Sequence, residues 1–142
     1  MGFDDKVDYP LGQKRPELVS TPAGHRLDEV TLDALRDGRI GADDLRATPE
    51  TLRRQSAIAL AAGRSQLADN LARAAELANV PAETILDVYT ALRPHRSSAD
   101  DLEAWATRLE SDWDAPLTAA FVREARDVYA KRGLLAAERA QV

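Results

Sequence analysis

Two histidines, several adjacent acid pairs and one arginine-flanked proline are the residues best suited by type to do chemistry in this chain. A histidine is the commonest general acid or base and a frequent metal ligand. His25 lies in a proline-rich stretch and His95 follows Pro94. Neither has a second histidine, or a carboxylate one helical turn away, as a helical metal site requires. The pairs Asp43–Asp44 and Asp100–Asp101 stand where helices are expected to begin. There a carboxylate meets the helix dipole favourably, by about 0.3–1 kcal/mol. Acid–base catalysis needs two carboxylates converging on a cleft, which neighbours on one helix do not supply. With no cysteine, the chain has neither a thiolate nucleophile nor a disulfide.

The glycines offer no phosphate cradle. "DGRIGADD" spaces Gly38 and Gly41 far short of a Walker loop or a dinucleotide fingerprint, and it follows a helix, so both read as turn residues. Trp105 sits at helical spacing beside leucines and reads as core or interface, whereas Trp113, between two aspartates, is less constrained. The segment "ALRPHRSS", Ala91 to Ser98, remains. Pro94 cannot continue the preceding helix, because it lacks an N–H donor and its ring clashes with the turn before it. Arg93 then falls at a helix end, where a cation complements the exposed carbonyls. The local reading is a helix–helix corner; the sharper one is a carboxylate-binding corner, since arginine forks pair with carboxylates in a planar, bidentate way.

The elements around these residues are helical throughout. Thr31 caps a short helix that Gly38 ends, and "GADDLRA" adds a turn. "TPETLRRQ" places Thr48 as cap and Pro49 at the first helical position, and the helix runs to about Ala62 before Gly63 closes it. A helix from Ser65 to Ala78 aligns Leu67, Leu71, Ala74, Ala75 and Ala78. After Pro81, Ile85, Val88, Tyr89 and Leu92 repeat the spacing, and Ser98 with Asp101 resembles a capping box ahead of Leu102, Trp105, Ala106 and Leu109. Pro116 opens the last helix, with Leu117, Ala120, Phe121, Ala125 and Val128 on one stripe and Gly133 near its end. No segment alternates with period two for long enough to form a strand. The expected fold is all-α, an irregular bundle of about five or six helices over residues 28–142. Residues 1–27, with Pro10, Pro16 and Pro22, read as an extended arm that is ordered only if something holds it.

A chain of this length suits one ordinary domain. Its core is unusual: 26 residues are alanine, 18 are leucine and only seven are aromatic. Alanine faces pack closely yet bury little area, at roughly 25 cal/mol per Å². Modest stability is therefore expected, with apolar faces left over for a partner; periodicity alone does not tell which faces those are. A net charge of −5, with basic residues dispersed among acids, excludes a nucleic-acid footprint. No apolar stretch approaches the roughly 20 residues of a membrane span.

Several ordered blocks together are more specific. "DYPLGQKRPE", "TPETLRRQSAIALAAGRSQLADNLARAAELANVP", "ILDVYTALRPHRS" and "AAFVREARDVY" resemble the small subunit of adenosylcobalamin-dependent diol dehydratase and of its relative glycerol dehydratase, from about Asp8 to Tyr129. The resemblance implies a dimer of heterotrimers with large, medium and small subunits. It also implies a TIM-barrel large subunit that houses substrate and catalytic residues, and adenosylcobalamin held between the large and medium subunits. The small subunit is then a helical, non-catalytic chain docked on the large one, with no coenzyme ligand of its own. The reaction implied is radical conversion of 1,2-propanediol or glycerol to an aldehyde and water, chemistry that belongs to the cofactor.

From that resemblance the arm around Tyr9 and Pro10, as far as Pro22, is expected to lie on the large subunit. Arg93, His95 and Arg96 are expected to contribute to docking. Only seven residues, "MGFDDKV", precede Asp8, too few and too acidic for the amphipathic leader of microcompartment-targeted relatives. The expectation is a cytoplasmic enzyme, or one targeted through another subunit. Two other readings are open from the residues alone: a free-standing helical adaptor, and a small enzyme using His95 and nearby acids.

Overall fold

Local capping physics sets the helix ends. The computed structural model describes residues 2–137. Among them lie seven α-helices: α1 Leu11–Lys14, α2 Leu32–Arg36, α3 Pro49–Ala61, α4 Ser65–Leu77, α5 Ala82–Ala91, α6 Ala99–Trp113 and α7 Pro116–Arg132. Three short 3-10 turns and one isolated bridge, Ser20 to Arg26, complete them, and no longer strand occurs among the described residues. The fold is all-α, and α1, a single turn within the proline-rich segment, is the helix that the sequence pattern does not announce.

The three starts that the sequence marks with a hydroxyl residue have their caps, whereas α4, α5 and α7 begin without a side-chain cap. Thr31 Oγ1 accepts from Ala34 N at 3.1 Å, Thr48 Oγ1 from Thr51 N at 3.3 Å and Ser98 Oγ from Asp101 N at 3.1 Å. The Ser98 box is reciprocal, because Asp101 Oδ2 accepts from Ser98 N at 2.9 Å. Gly63 and Gly133 close α3 and α7 at φ 73° and 66°, where a residue with a Cβ is strained. Arg64 N and Leu134 N then reach back to the carbonyls of Ala59 and Tyr129, both at 2.9 Å, and satisfy otherwise unpaired helix ends.

The chain divides into two compact units, Met1–Ala78 and Asn79–Val142. In the first, α3 and α4 pack as a hairpin whose buried residues are alanines, Ala59 on α3 and Ala68 and Ala75 on α4. Small residues let the backbones approach, and Ser56 Oγ donates to the Ala68 carbonyl at 2.7 Å. Residues 2–27, expected as an extended arm, make short turns tied into this unit. Asp8, buried, accepts from Arg15 at 2.7 Å and from Asp4 N at 2.8 Å. Arg54 donates to the Leu18 carbonyl at 2.6 Å, and Thr21 Oγ1 to Asp44 Oδ1 at 3.1 Å.

In the second unit α6 and α7 form a hairpin, and α5 also packs on α6. The core is Val88, Leu102, Ala106, Leu109, Ala115, Ala119 and Val122, with Leu92, Trp105, Trp113, Tyr129 and Leu135 partly buried against it. Leu102, Ala106 and Leu109 follow the expected α6 stripe. On α7 the buried residues are Thr118, Ala119 and Val122. The bulkier stripe of Leu117, Ala120, Phe121 and Val128 faces out. The small residues win the inward face because they allow α6 and α7 to close up. The hairpin is latched outside the core by charge. Arg123 donates to Glu103 at 2.9 Å and as a fork to Glu110 at 2.7 and 2.8 Å, and Arg126 pairs with Glu103.

Candidate docking surface

The candidate chemistry-bearing residues fall in both units, His25 and Asp44 in the first and His95, Asp100 and Asp101 in the second. His25 is half-buried in the first unit, with its N–H on Thr21 Oγ1 at 3.2 Å and its carbonyl accepting from Thr21 N at 2.9 Å. It lies near Asp44, whose carboxyl is held below its ordinary range. The Gly41 N–H at 2.9 Å is the main cause, opposed by partial burial and helped by the Thr21 hydroxyl and the His25 charge. Asp44 is therefore a structural acceptor. Asp100 and Asp101 occupy the first turn of α6. Among the described residues no three His, Cys, Asp or Glu side chains gather in a way that could hold a metal ion. Nor is any helix long and apolar enough to cross a membrane. The two indoles hold an arginine of the chain itself: the Arg108 guanidinium lies 4.6 Å from the Trp105 ring centre and 5.7 Å from that of Trp113.

Tyr9 and Pro10 are exposed on the first unit. They stand at the rim of a groove of about 820 Å³ that Leu27, Ile58, Leu67 and Leu71 also line. The groove is open, and Asp5, Lys6, Thr51, Gln55 and Arg64 line it beside the apolar residues.

Arg93, His95 and Arg96 occupy a turn of the second unit that is fixed from several sides. Pro94 ends α5 as its chemistry requires. His95 takes a left-handed conformation, φ 62°, which histidine tolerates better than most residues. Its N–H donates to the Leu134 carbonyl at 2.7 Å. Ser97, buried, donates through Oγ to the Ala91 carbonyl at 2.9 Å and accepts at its own carbonyl from Ala136 N at 2.9 Å. Tyr129 Oη donates to the Leu92 carbonyl at 2.5 Å. The turn is thus clamped between α5, α7 and the strip Leu134–Ala136 that follows Gly133. The sequence marked the corner and its cations. It did not mark the clamp, which joins residues about 40 positions apart; the two leucines that follow Gly133 are the one local feature that could have pointed to it. Arg93, His95 and Arg96 remain exposed. Arg93 leans over the Tyr89 ring at 6.0 Å, and among the described residues neither Arg93 nor Arg96 meets a carboxylate.

What the geometry defines is a helical scaffold with a clamped cationic corner, with several of its acids, Asp44, Asp101, Glu103 and Glu110 among them, engaged in caps and ion pairs. The family model for the dehydratase small subunit matches residues 5–136, and the chain belongs to that family. The propanediol dehydratase small subunit of Citrobacter freundii is 50% identical over 126 residues, 89% of this chain and 73% of that protein. The propanediol dehydratase small subunit of Salmonella typhimurium is 50% identical over 125 residues, 88% of this chain and 72% of that protein.

Proposed function

We propose that this chain is the non-catalytic small subunit of a propanediol or glycerol dehydratase and supports a catalytic partner by docking on it. The observation that carries the reading is a family match from residue 5 to 136 together with half-identity to two propanediol dehydratase small subunits over nearly nine-tenths of the chain. The side chains agree with it in kind, since Asp44 and Asp101 accept from backbone N–H groups at helix starts and Glu103 and Glu110 pair with Arg123. In this reading the assembly is a dimer of heterotrimers, with substrate in the large subunit and adenosylcobalamin held by the large and medium subunits. The cofactor supplies the radical chemistry, and this chain supplies no ligand to it. Tyr9 and Pro10 on the first unit and Arg93, His95 and Arg96 on the second are the docking residues. The test is co-expression with the genes of the other two subunits, followed by an aldehyde assay dependent on adenosylcobalamin. The proposal expects activity to fall when this chain is left out and to return when it is restored. Undiminished activity without it, or turnover by this chain alone, would contradict the proposal.

A further inference from the structure

The two compact units, Met1–Ala78 and Asn79–Val142, are filled with side chains of different size. In the second unit the interior is branched. Leu102, Leu109 and Val122 have no exposed surface, and Val88 is buried in the same cluster. In the first unit, Leu11 and Ile40 are the only apolar side chains larger than alanine that are buried among the described residues. The hairpin of α3 and α4 has alanines at its buried positions, with Leu52, Ile58 and Leu71 half-buried. The remaining bulk lies outward: Leu27, Leu32, Leu35, Leu45, Leu60 and Leu67 are exposed.

Polar ties do much of the work that a core does elsewhere. Residues 2–27 are held by Asp8 on Arg15, Arg54 on the Leu18 carbonyl and Thr21 on Asp44. Each such bond replaces one made to water in the open chain, so its net gain is modest. In the second unit comparable ties are added to a core that already exists, as with Arg123 on Glu110 and Tyr129 on the Leu92 carbonyl. Ordering a residue costs a similar amount of chain entropy in either unit. The return on that cost is chiefly buried apolar area, and the first unit buries less of it.

We infer that the free chain opens in two steps. The first unit unfolds as a cooperative body while the second stays folded, and this half-open form is the route by which proteases attack the chain. Segments with few buried apolar side chains occupy the low end of a protein's range of opening energies. Where reclosing is fast, cleavage follows the population of the open form. The lifetime of the free chain is then set by its first unit alone, however durable the second. The inference rests on the packing inside each unit and stands apart from the proposed function.

The experiment is hydrogen exchange of the purified full chain, read peptide by peptide by mass spectrometry, with limiting trypsin alongside. Helices α3 and α4 are compared with α6 and α7, because all four are long enough to carry interior amides bonded within the helix. The slowest amides of α6 and α7 should exchange at least tenfold more slowly than the slowest of α3 and α4. Trypsin should cut after Arg53, Arg54 and Arg73, within α3 and α4, before it cuts after Arg108 and Arg123, within α6 and α7. Val122→Ala truncates a buried side chain of the second unit. It should speed exchange in α6 and α7 at least threefold and leave α3 and α4 within twofold of wild type, because the second unit is folded both before and after the first opens. A wild-type ratio below tenfold, or the reverse order, would overturn the inference. So would equal acceleration of all four helices by Val122→Ala, the signature of a chain that opens as one body. The wild-type comparison needs no variant and is sufficient if Val122→Ala does not fold.

Discussion

Two leucines in one helical hairpin separate a core face from an exposed face by a single type of substitution. Leu102 on α6 has no exposed surface, and Leu117 on α7 is 50% exposed. Truncating Leu102 to alanine removes three buried carbon groups and leaves a hole beneath Val122 and Ala106. Such holes cost about 2–5 kcal/mol. Leu117→Ala removes the same atoms from a site that water can refill, so only about half of the transfer energy is lost. At roughly 0.8 kcal/mol per buried methylene, that is about 1 kcal/mol. For a unit of this size each kcal/mol moves the melting midpoint by about 4–8 °C. Leu102→Ala should therefore lower the midpoint by roughly 8–40 °C and Leu117→Ala by less than about 8 °C. The assay is urea and thermal unfolding of the purified full chain followed by far-ultraviolet circular dichroism, with unchanged urea slopes as the check that both unfold alike. Equal losses at the two sites, or a larger loss at Leu117, would refute the assignment of Thr118, Ala119 and Val122 as the inward face of α7.

Further outcomes follow from the turns and the charge latch. Gly63→Ala should cost about 1–2 kcal/mol, because φ 73° is left-handed and no atom lies within 4 Å to blame instead. Gly41→Ala, at φ −113° and equally unobstructed, should be neutral or slightly stabilising under the same denaturant titration. Arg123 holds the Glu110 carboxyl below its ordinary value, chiefly through the hydrogen bonds of its guanidinium fork. A depressed folded value means that the contribution is present above the unfolded carboxylate range and is lost as pH falls through the folded value. Glu110→Gln should thus be less stable than wild type at neutral pH, with the gap closing in acid; a gap that persists or widens in acid unfolding curves would contradict the latch.

Much of the fold was legible because its cues are local. Thr48 with Pro49, Ser98 with Asp101, and the glycines at 63 and 133 each settle a helix end within four residues, and the structure places every one of these ends where the pattern does. What was not legible depends on distance or on choice between faces. In an alanine-rich helix the bulky stripe is not automatically the inward one. On α7 Leu117 and Phe121 face out while smaller neighbours pack on α6, and Tyr89, counted with the apolar positions of α5, lies on its outer side. The turns that tie residues 2–27 into the first unit rest on Asp8 with Arg15 and Arg54 with Leu18, pairs that no spacing rule selects. No shift in composition marks the division after Ala78. The corner at Arg93 and Arg96 was legible as a set of cations beside a proline, but its rigidity comes from Leu134 and Ala136, far along the chain.

The account holds that this chain works by holding a catalytic partner and by nothing it does at the reacting atoms. The decisive measurement is kcat per assembled complex, with adenosylcobalamin and saturating diol, for wild type and for a chain carrying His25→Ala and His95→Ala together. An unchanged kcat once the amount of assembled complex is matched is the predicted result. A fall of a hundredfold or more in fully assembled enzyme would place a side chain of this subunit in the chemistry and contradict the account.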